Sequence, residues 1–399
     1  MLLSESIQLP FSKQLSRLCH FAKNLYNLAN WYIRQDLAFM DNFLTYYDLD
    51  YMLKTTDAYK RLPSNTSQQI LMLLRRNWKA YFHALKEYKD APFRFRAPPR
   101  PPKYKKKNGE FLLIFTYNQC RIKNGVLYFP KSVGLDPIKT RLREPLKHVR
   151  VLPVGPSYRV EIVYEREERD LGLDKDNILS IDLGIHNLIT AINNNGRTPF
   201  IIKGKVIKSI NHYYNKWLAY YRSIENKKGN FQDTNRMRRL HLRRTNKITH
   251  FFHIVSKRVI EYCKTWNIGV IVIGYNPGWK QNVALGKINN QHFVQIPFAK
   301  LVRQLEYKAK LIGILVVRQA ENYTSKCSFF DEEPIEKRER YAGRRISRGL
   351  FRTAERRVVN ADVNGAANIL TKAFPKASWG VDKIQGVGIQ SIHFSLGKV

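Results

Sequence analysis

From residue 178 onward, apolar runs of strand length alternate with longer segments of helical period, an order that few folds accommodate. ILSIDLG (178–184) and NLITAINN (187–194) form a hairpin through Gly184, and FIIKGKVI (200–207) supplies a third strand. A long basic helical region follows over about 207–266, then the strand IGVIVIGYN and a helix around PFAKLVRQLEYKAKLIG. The strand ILVVRQAEN, a polar insert and the helix ADVNGAANILTKA complete the series.

Three strands, helix, strand, helix, strand and helix is the order of an RNase H-like α/β fold, with sheet order 3-2-1-4-5. The region before it reads differently. Residues 1–9 form a short strand, and Leu15, Leu18, Phe21, Ala22, Leu25 and Leu28 recur at helical spacing within 12–37. A second helix spans 64–89, with Ser64 or Asn65 as its cap. Residues 111–166 are strand-rich, with an Asn-Gly turn and a Gly-Pro bend, and predict a small antiparallel β-barrel. The predicted domains are a barrel from 1–10 and 96–172, a helical domain at 11–95 and an RNase H-like domain at 173–375. The last carries an insert at about 322–358 and is followed by a tail at 376–399.

Charge narrows the partners. Lys and Arg number 69 against 32 acids, a formal net charge of +37 on a chain with 44% hydrophobic residues. A folded body of that charge calls for a polyanion, and nucleic acid is the expected partner. The stretch FRFRAPPRPPKYKKKNG (93–109) is held extended by Pro98, Pro99, Pro101 and Pro102. It is either a solvated linker or a nucleic-acid contact through Lys103, Tyr104, Lys105 and Lys106, the tyrosine able to stack on a base. Arg238, Arg239, Arg243 and Arg244 point from all sides of a basic helix, so some of them face a groove or a phosphate backbone. Four scattered cysteines, Cys19, Cys120, Cys263 and Cys327, make no CxxC pair and argue for a reducing compartment. The expected location is cytoplasmic, nucleoid-associated in a prokaryote. No signal peptide, membrane span or membrane partner is expected.

The candidate chemistry lies in three acids. Asp182 ends the first strand and Asp362 opens the last helix, where Gly365 and Ala366 allow close packing on the sheet. Metal-assisted phosphodiester cleavage needs carboxylates converging from different elements. The place for a third, at the end of the fourth strand, is Gly274. The next strand ends with Glu321, one strand spacing or roughly 4.8 Å away, and the missing side chain at 274 leaves room for it. Either Glu321 completes a site with Asp182 and Asp362, or it makes a surface ion pair and the site is dead. Trp279 and Lys280 follow the fourth strand; Trp279 either stacks on a base or caps the sheet edge, and Lys280 suits a phosphate.

The segments LPSNTSQQILMLLRRNWKAYF, SIDLGIHNLIT, VIVIGYNPGWKQ and NADVNGAANIL resemble the TnpB family, over roughly residues 10–375. TnpB proteins are encoded in insertion sequences and are relatives of type V CRISPR effectors and Fanzor. The resemblance implies a RuvC nuclease domain, preceded by a wedge barrel with an inserted helical recognition region. It implies a guide RNA from the transposon end and double-stranded DNA targets beside a short flanking motif. It also implies Mg²⁺ held by Asp182, Glu321 and Asp362, the glutamate being displaced from the usual position, now Gly274. A single copy on its RNA is the favoured assembly. The alternative is a nuclease-inactive guided DNA-binding protein acting as a repressor or targeting factor. The family's insert commonly holds zinc through two CxxC pairs. With only Cys327 here, no zinc is expected, and Phe329, Phe330, Tyr341 and Phe351 are expected to hold the insert together. Its arginine-rich RERYAGRRISRGLFR either covers active-site phosphates or is solvated charge.

Overall fold

The computed structural model describes residues 1–39, 43–276, 294–347, 349–375 and 392–393. The chain divides into two compact units, Met1–Arg166 and Glu167–Val399.

In the first unit, β1 (Leu2–Leu9) is followed by helices α1 (Lys13–Phe39), α2 (Tyr46–Leu53), α3 (Asp57–Lys60) and α4 (Ser64–Asp90). Strands β2 (Leu113–Thr116), β3 (Arg121–Lys123), β4 (Val126–Tyr128), β5 (Ile138–Lys139), β6 (Leu146–Val154) and β7 (Ser157–Glu165) come next. The expected barrel is not formed among the described residues. Instead an open antiparallel sheet of order β1-β7-β6-β2 accompanies a separate small sheet β3-β4-β5. The strands of the second sheet are only two or three residues long, too short to close a barrel. Asn124 and Gly125, at φ 52° and 70°, make the tight turn between β3 and β4 that an Asn-Gly pair favours. Nor do helices and strands form separate domains: Leu25, Leu49, Leu71 and Leu74 share one core with Phe115, Val149 and Val160.

The proline-rich segment is not a free linker. Its carbonyls lack strand partners and are met by α1: Asn30 Nδ2 and Arg34 Nη2 donate to Pro102 O at 3.1 and 2.8 Å. Asn27 pairs with Lys105 through both its carbonyl and its amide, and Lys23 Nζ donates to Lys107 O at 2.6 Å. Proline lowers the entropy of the extended course, so few bonds suffice to strap it down.

The second unit carries β8 (Ile178–Asp182), β9 (Asn187–Asn193), β10 (Phe200–Lys203), α5 (Lys205–Lys227), α6 (Asn235–Thr265) and β11 (Val270–Gly274). It continues with α7 (Phe298–Lys310), β12 (Leu315–Gln319), β13 (Arg344–Ser347), β14 (Leu350–Arg352), β15 (Val358–Asn360), α8 (Ala361–Ala373) and β16 (Ile392–His393). The sheet order is β12-β11-β8-β9-β10-β16, the expected order with one strand added at its edge. The expected long basic helix is two helices, broken where Gly229 takes φ 72°. Alternation along the strands fixes two layers. Leu179, Ile181, Ile271 and Ile273 face a core with α6 and α7 residues, whereas Ile178, Val270 and Val272 pack with Ile369 and Leu370 of α8.

Candidate active site

The same alternation places Asp182 and residue 274 on the α8 side of the sheet, two positions beyond Ser180 and Val272. Ile181 pairs with Ile273 in the parallel β8–β11 ladder, so Asp182 and Gly274 stand level on adjacent strands. Ser180 Oγ donates to Ala366 O at 2.7 Å and holds α8 down. Gly365 makes that approach possible: a Cβ there would stand 3.2 Å from Asp182 Oδ2. Asn360 caps α8, accepting from Asp362 N at 2.9 Å and Val363 N at 3.2 Å, and sets Asp362 in the first helical turn.

Glu321 fills the vacancy at Gly274. A Cβ on Gly274 would run into Glu321 Oε1 and come within 2.5 Å of Ile369 Cδ1. Tyr275 N donates to Gln319 O at 2.9 Å, and Asn276 Oδ1 accepts from Glu321 N at 3.0 Å, so the end of β11 turns the chain after β12 inward. Glu321 Oε1 is buried and has no hydrogen-bond partner among the described residues. Burial lifts its carboxyl to about 7. Asp182 is pushed well above the ordinary carboxylate range, first by burial and then by the negative charges of Glu321 and Asp362; Arg345 partly offsets this.

Asp362 is engaged. Arg345 Nη2 reaches its Oδ1 at 2.9 Å and Asn187 Nδ2 donates to its Oδ2 at 2.8 Å. Sequence reasoning did not single out Asn187, Asn276 or Arg345. Arg345 lay unresolved within an arginine-rich stretch, and no local signal distinguished the two asparagines. A cleft of about 760 Å³ beside Asp362 is lined by Gly184, His186, Asn187, Arg345 and Ser347. Among the described residues, no three His, Cys, Asp or Glu side chains converge closely enough to hold a metal ion as they stand. The donor chemistry nonetheless suits a hard divalent cation: carboxylate oxygens crowd together, one of them is buried and orphaned, and Arg345 offsets their charge only in part.

Comparison with known proteins bears on what this geometry belongs to. The family OrfB_IS605, described as a probable transposase, matches residues 161–280, and the Cas12f1-like TNB domain matches residues 298–369. The TnpB-like protein ORF457 of Acidianus two-tailed virus is 23% identical over 90% of this chain and 83% of its own length. This chain is similar to TnpB proteins. The chain is also similar to the CRISPR-associated endodeoxyribonuclease Cas12f2 of a Micrarchaeota archaeon, 27% identical over 54% of this chain and 40% of that protein. In fold, this chain is similar to the mini-RNA-guided endonuclease CRISPR-Cas_phi3. The TM-score is 0.50 at 9% identity, covering 94% of this chain and 92% of the other.

The insert is built without a thiol pair. Cys327 is buried, and its Sγ lies 3.7 Å from Glu336 O. Asn364 and Asn368 of α8 donate to Cys327 O at 2.9 and 2.7 Å, and Asn364 Oδ1 accepts from Phe329 N. Glu333, buried, accepts from Ser328 N and Ala342 N. Phe351 packs with Val359, Ala361 and Phe330, while Phe329 packs with Val363 and Ala367. Tyr341 serves differently from the expected packing role, its hydroxyl accepting from Arg338 N and its ring lying under Lys326.

Of the expected nucleic-acid contacts, Lys103, Tyr104 and Lys106 are exposed, with Arg34 stacked on the Tyr104 ring. Lys105 instead turns its ammonium over Tyr26 and Phe111. Arg238, Arg239 and Arg243 are exposed on α6. Arg244 is committed inside the fold, its Nε to Asn211 Oδ1 and its Nη2 to Gln295 O, both at 2.7 Å. Trp279 and Lys280 lie outside the described residues.

Proposed function

We propose that this protein is an RNA-guided DNA endonuclease of TnpB type whose RuvC site uses Asp182, Glu321 and Asp362. The observation that carries this reading is Glu321 Oε1 in the space vacated at Gly274, beside Asp182 and on the face that α8 shares. These three carboxylates would hold Mg²⁺, which when bound supplies charge neutralisation at the phosphodiester and activates water for attack. A guide RNA would select the target by base pairing, the protein reading duplex shape and a short flanking motif.

The chain's own residues have separable tasks in this reading. Asn276 fixes the backbone at Glu321, and Asn187 orients the Asp362 carboxylate. Arg345 balances Asp362 in the free protein and, on release from it, is placed to meet a strand phosphate entering the cleft. A planar guanidinium suits both partners.

The inactive reading draws on the Arg345–Asp362 ion pair, which occupies one of the acids. One experiment separates the two. The full chain is charged with RNA from its own transposon end carrying a chosen guide, and given Mg²⁺ and plasmid bearing the match beside a randomised flank. Cleavage is expected from the wild type and reduced about 100-fold or more in Glu321→Ala, with DNA binding retained. Gly274→Glu combined with Glu321→Gly is expected to recover activity, since it returns the carboxylate to the neighbouring strand. Binding without cleavage by the wild type would establish the inactive reading instead. Cleavage that survives Glu321→Ala would remove Glu321 from the site.

A further inference from the structure

Helix α5 carries an aromatic stripe that the fold does not absorb. Its buried residues, Ile207 and Asn211, both lie in its first two turns. Beyond them come Tyr213, Trp217 and Tyr220, spaced i, i+4 and i+7 on one face. Tyr213 and Tyr220 are 57% and 53% exposed, and Trp217 is half-buried between them. The rings brace one another, with centroids of Tyr213 and Trp217 at 6.2 Å and of Trp217 and Tyr220 at 5.7 Å. On the inner side, Arg236 lies over Tyr221 and Arg244 over Tyr214, which ties α5 to α6. The outer rings are braced by Tyr221, on which Trp217 stacks with centroids 5.9 Å apart, while Tyr213 and Tyr220 stay more than half exposed.

The charge around the stripe selects its partner. Residues 205–247 contain twelve lysines and arginines against only Glu225 and Asp233. An apolar protein partner would have to bury or neutralise this excess, whereas a polyanion is attracted by it. Ring faces reach bases only when those bases are unpaired, because a duplex offers side chains its phosphates and groove edges. The stripe is about 10 Å long, comparable with the surfaces on which aromatic rings stack two or three bases.

We infer that the Tyr213–Trp217–Tyr220 face of α5 is a stacking platform for an unpaired stretch of RNA, with the cations of the α5–α6 hairpin holding its phosphates. The choice of RNA over single-stranded DNA rests on the proposed function. There the RNA is the resident partner, and a permanently exposed aromatic stripe needs permanent cover.

The test uses the full chain freed of nucleic acid, with a short oligouridylate as probe. Oligothymidylate of equal length, a blunt RNA duplex and sedimentation of the protein alone are run in parallel. Tyr213→Ala with Tyr220→Ala is expected to weaken oligouridylate binding about tenfold or more and duplex binding less than about twofold. Trp217→Phe, which keeps a stacking ring, is expected to bind nearly as the wild type. Ultraviolet crosslinks to the RNA are expected within 213–220. Unchanged oligouridylate affinity in the double variant would overturn the inference, as would equal losses on single strand and duplex. So would a preference for oligothymidylate, or a wild-type dimer that the double variant dissolves. These readouts do not depend on cleavage. A protein that binds oligouridylate here but never cuts DNA loses the proposed function while the platform stands, and the converse outcome loses only the platform.

Discussion

Glu321 sits where the fold favours its neutral form, and this has a measurable consequence. Its carboxyl rises from an ordinary 4.5 to about 7 on burial. A group whose folded pKa is raised contributes stability that is complete below the unfolded value and lost as pH climbs through the folded one. The metal-free protein should therefore lose stability between about pH 4.5 and 7, and Asp182, shifted in the same direction, extends the effect. Thermal melts in chelator across that range should show the decline, and Glu321→Gln should flatten the part it owns. Added Mg²⁺ should restore stability as pH rises past 7, because a bound cation favours the charged form of each carboxylate. Parallel pH profiles for wild type and Glu321→Gln would mean that Glu321 is not buried as described. At this scale Asp182 and Asp362 were legible from their places in the order of elements. Arg345, Asn187 and Asn276 were not, because each acts on a residue far away in sequence and has no periodicity of its own.

Among the elements, α8 does two jobs that its sequence only half discloses. Its small residues, Gly365 and Ala366, predicted close packing on the sheet, and the Ser180–Ala366 bond shows it. Its two asparagines predicted nothing, yet Asn364 and Asn368 organise the insert by taking the Thr324 and Cys327 carbonyls. Buried amide contacts here tie the insert to α8. Asn364→Ala should destabilise this unit by about 1–3 kcal/mol, since it leaves a buried amide and a buried carbonyl less well paired. Urea denaturation gives the free energy, and limited proteolysis should show faster cutting within 322–360. A zinc-selective chelator should leave the wild-type insert as resistant as before. Chelator-induced cutting there would place a metal in it after all.

For the molecule as a whole, charge dominates. With +37 to neutralise, binding to RNA or DNA should be strongly salt-dependent. If six to ten phosphate contacts form, affinity should fall by roughly 10³ or more between 50 and 200 mM salt. Titrations at four salt concentrations give the slope. A near-zero slope would mean that the cations do not face the polyanion. Replacing exposed Arg238, Arg239 and Arg243 together should reduce the slope; Arg244→Ala should instead lower stability, its guanidinium being bonded within the fold.

The sequence by itself determined the order of strands and helices, the sign of the net charge and the places of Asp182 and Asp362 in that order, because periodicity, charge and chain order are local or additive properties. It misjudged the closed barrel and did not disclose that the helices of 11–95 share a core with the strands: closure depends on strand length and register, and a shared core depends on which apolar faces meet. The third acid was a choice between an empty site and a substituted one. Only the tertiary structure brought Glu321 into the space at Gly274, because that contact joins residues 47 positions apart. It depends on two parallel strands lying side by side and on a glycine that leaves the gap between them open.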